Sequence, residues 1–137
     1  SSAKNFHLAR YADILLWYAE ALIETGKVSD AIDIINEVRE RARNTVGVDG
    51  ETKAPAGTLP DRDRLGSKEQ AWEWLIHERR VELGLESHRF RDLKRWGIAK
   101  EVLNANGQAF TDRNYLFPIP QKDIDKSGGK LIQNPGY

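Results

Sequence analysis

The sequence predicts an all-α fold: a tetratricopeptide-like helical hairpin, further helices behind it, and an irregular, extended C-terminal tail. Two adjacent segments, from about Leu8 to Thr25 and from Ala31 to Ala42, place apolar residues at three- and four-residue steps, the spacing of one helix face. A capping-box sequence, Ser67-Lys68-Glu69-Gln70, opens a third such segment. The balance of 39% hydrophobic and 31% charged residues suits a folded, helix-rich domain rather than a disordered chain.

In the first helix, Tyr11, Ile14, Leu15, Tyr18 and Leu22 form the predicted buried stripe, and Gly26 stands where a C-cap glycine belongs. Ser29 is the expected N-cap of the second helix, with Ala31, Ile34, Ile35, Val38 and Ala42 as its stripe. So short a turn makes the pair an antiparallel hairpin. Only one copy of the hairpin is evident, and a solenoid needs about three repeats, so it is expected to lean on something else. Residues 44–66, punctuated by Asn44, Gly47, Gly50, Pro55, Gly57, Pro60 and Gly66, read as a loop insertion. The third helix carries Ala71, Trp72, Leu75, Ile76, Arg79 and Leu83 on one face, and Gly84 ends or bends it. A fourth spans about Ser87 to Trp96, with Phe90, Leu93 and Trp96 inward, and a fifth Ile98 to Asn104, ending near Asn106-Gly107. Tyr115 to Pro120 must be extended, because a residue before proline is pushed out of the α region. Gln121 to Lys126 forms a helical turn started by Pro120, and the tail to Tyr137 is irregular.

The 137 residues suit one domain at about 150 residues per domain. With 21 basic and 21 acidic residues the net charge is zero, which argues against a general nucleic-acid binder and against a polybasic membrane-surface module. Arg89, Arg91, Lys94 and Arg95 beside Phe90 and Trp96 could suggest a nucleic-acid patch, but the apolar spacing there is that of an amphipathic helix. The absence of cysteine excludes disulfides, thiolate catalysis and Cys-based zinc sites. No apolar run approaches the roughly 18 residues of a membrane span. Methionine is absent even at position 1, and Ser1-Ser2-Ala3-Lys4 has no signal-peptide core, so the chain is expected to be a fragment or processed product.

His77-Glu78-Arg79-Arg80-Val81 begins like a zinc-protease helix but has Val81 where the second histidine belongs; His7 and His88 are not at ligand spacing. Glu78, Arg79, Glu82, Glu86, Arg89, Asp92 and Arg95 make a dense charged run. We read it as an ion-pair network locking the third helix to the fourth, with Arg79–Glu82 and Arg89–Asp92 as i,i+3 pairs, in preference to a catalytic carboxylate pair. Arg79 falls on the apolar face and requires a buried acidic partner. Trp72 is core, whereas Trp74 lies about 200° away around the helix. Such a side chain packs on another domain or serves as a platform for a ligand such as a sugar ring; the first reading is preferred, and Trp74→Ala is then nearly neutral for this chain's helicity. Trp17, at the flank of the first stripe, is assigned to packing. No metal, cofactor or catalytic residue is assigned.

Four blocks together resemble the SusD/RagB family, in its C-terminal portion. They are Arg10-Tyr11-Ala12-Asp13-Ile14-Leu15-Leu16…Tyr18-Ala19-Glu20-Ala21; Ala31…Ile35-Asn36-Glu37-Val38-Arg39; His77-Glu78-Arg79-Arg80-Val81-Glu82-Leu83 through Arg95-Trp96-Gly97; and Tyr115 to Pro120 with Asp123-Ile124 and Asn134-Pro135-Gly136-Tyr137. The resemblance implies the C-terminal part of a longer outer-membrane lipoprotein of Bacteroidetes, anchored through an upstream Cys not present in this chain. Such proteins bind glycans, or peptides in the RagB branch, and pass them to a SusC-like TonB-dependent transporter without being enzymes. The family's main sugar-contacting aromatics lie upstream, so no binding residue carries over. Arg79, Glu82, Arg89, Asp92 and Trp96 match the family signature and are read as architectural. Trp96 and the Tyr115–Pro120 segment are expected to close over the helices, and the Tyr137 tail to pack back on them. The rival function is a tetratricopeptide-like protein-interaction scaffold without glycan binding; a glycan-cleaving enzyme would need two suitably spaced carboxylates in a cleft.

Overall fold

The structure, a computed structural model, describes residues 8–51 and 53–137. Ser1 to Lys4, His7 and Thr52 of the 44–66 loop lie outside the described residues. Every regular element among the described residues is helical: α1 (Tyr11–Glu24), α2 (Val28–Asn44), α3 (Lys68–Glu82), α4 (Arg89–Arg95), α5 (Ala99–Ala105), a 3₁₀ turn (Asp112–Tyr115) and α6 (Gln121–Lys126). The chain divides into two compact units, Ser1–Glu86 and Ser87–Tyr137.

The first unit packs α1, α2 and α3 pairwise. Its core holds Leu16, Ala19, Leu22 and Ile23 of α1, Ala31, Ile32, Ile35 and Val38 of α2, and Ala71 and Leu75 of α3. Fully buried Ala19, Ala31 and Ala71 let the helix backbones approach closely. The hairpin turn is closed by Gly26 at φ +80, a conformation that costs glycine little. Lys27 N–H bonds Leu22 O at 2.8 Å and Gly26 N–H bonds Ile23 O at 3.1 Å, the paired bonds of a Schellman C-cap.

The buried face of α1 differs from the expected stripe. Leu22 is buried and Leu15 packs at the edge of the core, but Tyr11, Ile14 and Tyr18 face outward, and Ala12, Leu16, Ala19 and Ile23 turn inward. The helix is apolar on two sides, so periodicity alone does not choose between them; the small alanines mark the side where another backbone comes close. In α2 the predicted Ala31, Ile35 and Val38 are buried, and Ile32 joins them. The helix begins at Val28, so Ser29 is not its N-cap; Lys27 holds that position without a side-chain bond.

The capping box of α3 forms as predicted. Ser67 Oγ accepts from Gln70 N–H at 3.2 Å, and Ser67 N–H donates to Gln70 Oε1 at 2.9 Å. The same hydroxyl donates to Glu69 at 2.8 Å. Glu69's own backbone N–H, then the Ser67 hydroxyl, hold its carboxyl below the ordinary value of 4.5. A carboxylate with a depressed folded pKa adds stability above its unfolded pKa and loses it as pH falls through the folded value. Acid unfolding is therefore expected to include a small contribution from Glu69 below about pH 4.5, absent in Glu69→Gln, as followed by circular dichroism against pH.

Among the described residues of 45–66 there is no helix, yet the second half of this loop is fastened to α2. The Asn36 side chain donates to Arg62 O at 2.9 Å and accepts from Arg62 N–H at 2.7 Å. Arg43 pairs with Asp61 at 2.7 Å and Arg64 with Asp33 at 2.7 Å.

The second unit has a smaller core of Leu93, Ala99 and Phe110, with Ile98, Val102, Leu103 and Tyr115 around it. Phe110 meets Phe90 and Tyr115 edge-on, at centroid distances of 6.0 and 5.1 Å. α4 starts at Arg89 rather than Ser87, because Ser87 lies at φ +64, outside the helical region. α5 runs one residue later than expected at each end and closes at Asn106-Gly107 with the same paired C-cap bonds as α1. α6 has the predicted bounds, entered from Pro120.

Tyr115 ends the 3₁₀ turn, and Leu116 is extended. Tyr115 reaches the small core, but Leu116 and Phe117 are exposed, Phe117 by 81%, so the segment does not close over the helices as expected. The tail is fastened to this segment instead. The Gln133 side chain accepts from Ile119 N–H at 2.8 Å and donates to Ile119 O at 2.9 Å. Tyr137 donates its hydroxyl to Leu116 O at 3.0 Å. Asn104 makes a third such two-way bond, with the backbone of Phe110 at 3.0 and 2.8 Å.

Candidate functional site

Helix α3 presents Glu78, Arg79 and Glu82 to its neighbours along its C-terminal half. Arg79, on the buried face, pairs through Nη1 with Asp13 of α1 at 2.9 Å, and both side chains are buried to within 1%. One residue earlier, Glu78 pairs with Arg39 of α2 at 2.8 Å, also fully buried. Arg39 donates two further bonds to Pro60 O, at 3.0 and 2.8 Å, and so joins the loop to the same cluster. Glu82 takes Arg10 at 2.5 Å and also Arg41 of α2. Arg10 reaches on to Glu86 at 2.9 Å. The Glu86 and Glu82 carboxylates hold the Arg10 guanidinium more firmly protonated than usual.

This geometry corrects the expected pairing. The i,i+3 pair Arg79–Glu82 is not formed; the carboxylate facing Arg79 is Asp13, and the cations on Glu82 are Arg10 and Arg41. The network so formed ties α3 to α1 and α2. Arg10, Asp13 and Arg39 stand in the blocks that resemble the family and Arg41 does not, but the sequence assigns none of the four an ion-pair role. The available signal was a charged residue at a helix position flanked by apolar neighbours on the same face, as Asp13 is by Ala12 and Leu16.

The rest of the signature lies in the second unit. Arg89 opens α4 and is partly buried. Asp92 is buried and takes Arg95 Nε at 2.9 Å. Trp96 is half-buried under the Arg95 guanidinium, 4.7 Å from the ring centre.

Trp74 is half-buried at the edge of the first unit's core, as Trp72 is, rather than turned off the packed side as its angle from Trp72 suggested, and it meets this chain's own loop. The Arg62 guanidinium lies over its ring at 5.6 Å. A Cβ added to Gly66 would stand 2.6 Å from Trp74 Cη2 and Cζ3, so only glycine lets the loop pass here. Gly66→Ala is therefore expected to destabilise by about 1–3 kcal/mol through overpacking, with Trp74→Leu relieving part of the loss, as denaturant midpoints would show. Trp74→Ala should likewise loosen the loop rather than act neutrally.

Two surface features remain. The outward side of α1 exposes Tyr11 by 71%, Ile14 by 46% and Tyr18 by 55%. Beside it, between α1 and α2, lies a pocket of about 260 Å³ lined by Ala12, Leu15 and Val38, with Arg10, Tyr11, Glu37 and Arg41 around them. No group of three His, Asp or Glu residues among those described could hold a metal ion, and no helix among them is long and apolar enough to cross a membrane.

A tetratricopeptide-like hairpin braced by buried ion pairs, with an aromatic outer face, defines a helical packing module. The chain belongs to the SusD family, whose model matches residues 1–137. It is similar to three proteins of Formosa agariphila. SusD-like protein P2 is 34% identical over 99% of this chain, and SusD-like protein P38 is 38% identical over 97%. SusD-like protein P25 is 35% identical over 84%. The chain spans about a quarter of the length of the first two, 26% and 25%, and 18% of the third.

Proposed function

We propose that this chain is the C-terminal helical part of a glycan-binding nutrient-uptake protein of the outer membrane. The full protein captures oligosaccharide at the cell surface and delivers it to a SusC-like TonB-dependent transporter. It is held there by a lipid on an upstream Cys and catalyses no reaction on its ligand. The family match over residues 1–137 carries this reading. The absence of net charge suits an uncharged glycan. The described part supplies helical scaffolding, and no ligand contact is assigned to Trp74, whose ring is engaged by Gly66 and Arg62.

Affinity electrophoresis of the full-length protein through gels containing single polysaccharides tests the reading. Retardation by at least one glycan, without release of reducing sugar, is expected. Release of product would overturn the non-enzymatic assignment. Recovery of a soluble protein partner, with no transporter co-purifying and no glycan bound, would favour the interaction-scaffold reading.

A further inference from the structure

Asn106 is the one asparagine of the sequence that is followed by glycine. A glycine nitrogen has no side chain beside it to shield it, so it is the backbone group best able to attack the side-chain carbonyl carbon of a preceding asparagine. Both residues are exposed, at the C-terminal end of α5 in the second unit. The fold holds the pair in a form that does not react directly. The Gly107 nitrogen donates to Asn104 O at 2.9 Å, and Asn106 Nδ2 donates to Val102 O at 2.7 Å. Asn106 has ψ 17°, which turns the Gly107 nitrogen away from the Asn106 side chain. Closing a five-membered ring between them requires both hydrogen bonds to break and the Cα–C bond of Asn106 to rotate. Helix ends fray more readily than helix interiors, so this cap delays the reaction without forbidding it.

We propose that Asn106 is a site of spontaneous covalent modification, gated by the C-cap of α5, and that its conversion loosens the core of the second unit. Once the cap opens, the Gly107 nitrogen gives its proton to solvent and bonds to Asn106 Cγ. The Cγ–Nδ2 bond breaks, Nδ2 departs as ammonia, and a cyclic imide remains. Water then adds to one of the two imide carbonyls, and the C–N bond beside it breaks. Opening at Cγ gives aspartate. Opening at the backbone carbonyl gives isoaspartate, whose main chain runs through Cγ and is longer by one carbon. One water enters, one ammonia leaves, and nothing is oxidised or reduced.

Both products replace the donor at Val102 O by a carboxylate. A negative charge at the C-terminal end of a helix opposes the helix dipole. The change reaches the core through Asn104. Its side chain holds the backbone of Phe110 with bonds of 3.0 and 2.8 Å, and its carbonyl accepts from Gly107. Phe110 is buried with Leu93 and Ala99. A cap that no longer closes therefore frees the residue that anchors Phe110.

The test incubates the full-length protein in mildly alkaline buffer made with heavy-oxygen water. Mass spectrometry of its proteolytic peptides follows each asparagine, with isoaspartate and aspartate separated by chromatography. Asn106 is expected to convert first among the asparagines of residues 1–137, to take up heavy oxygen and to give both products. Its rate in the folded protein should be about 10- to 1,000-fold below that in guanidinium chloride, the range set by opening of a helix end. The converted fraction, separated by its added negative charge, should exchange the Phe110 amide proton faster, while the amides of α1 to α3 exchange as before. Another asparagine converting first, equal rates in folded and unfolded protein, or no conversion of the folded protein within that range would overturn the gated site. Aspartate as the only product would overturn the imide route. Unchanged exchange at Phe110 in the converted fraction would overturn the link to the core.

Discussion

Arg79→Ala is expected to cost about 3–5 kcal/mol of unfolding free energy, because it strands the Asp13 carboxylate inside the core of the first unit. The loss comes less from the missing attraction than from an uncompensated charge out of reach of water. Two comparisons separate those effects. Asp13→Asn keeps the shape but removes the charge, so in the Arg79→Ala background it should restore part of the stability. Asp13→Ala with Arg79→Ala should cost clearly less than the two single changes added together. Chemical denaturation checks all four proteins, and the single Arg79 change should lower the melting temperature by roughly 10–20 °C. A loss below about 1 kcal/mol would mean that water reaches the pair, as at a surface bridge. Trp17 supplies a local probe: the Arg79 guanidinium lies 5.9 Å from its ring centre, so the variant should also shift tryptophan emission.

Arg39→Ala should be as damaging, by about 3–5 kcal/mol, for a different combination of reasons. It leaves Glu78 buried without its cation and deprives Pro60 O of two donors, so core and loop are lost together. Arg39→Lys retains the charge but not the planar fork that reaches Glu78 and Pro60 at once, and should recover only part of the loss. Hydrogen exchange distinguishes the two components. In Arg39→Lys, protection of α2 and α3 amides should return while the backbone around residues 58–66 stays fast. Unchanged loop protection in Arg39→Ala would show that Asn36 and Arg43 hold the loop by themselves.

What could be read in advance was local chemistry. The Ser67–Gln70 box, Gly26, Asn106-Gly107 and the Pro120 entry to α6 each act over a few residues, and a string of residues displays them directly. The register of α1 was not legible, because its two apolar sides score alike until a partner backbone selects the side lined by alanine. Nor were the charged partners: Asp13 and Arg79 are 66 residues apart, Arg39 and Glu78 39 apart, and only the packing of three helices brings them together. Arg79's need for a buried acid could be stated from its position on an apolar face; which acid could not. For Trp74 the angle from Trp72 misled: the buried line of α3 runs through Ala71, Leu75 and Glu78 with the two tryptophans packed beside it, and the loop that Trp74 meets follows a path no periodicity describes.

The three carboxamide fastenings, Asn36 to Arg62, Asn104 to Phe110 and Gln133 to Ile119, do what a neighbouring strand would do in a sheet: each satisfies the N–H and the C=O of one residue. A strand offers those groups whatever its sequence, whereas here the identity of one side chain carries both bonds at that point. Slow chemistry can therefore undo it. Hydrolysis of any of these amides to the acid removes a donor and sets a negative oxygen against a carbonyl, converting two bonds into one bond and one repulsion. At an ordinary exposed asparagine the same change would alter only charge. In this chain it would loosen a loop or the C-terminal tail at one of its fastenings, so the durability of the irregular segments depends in part on the lifetime of three amides.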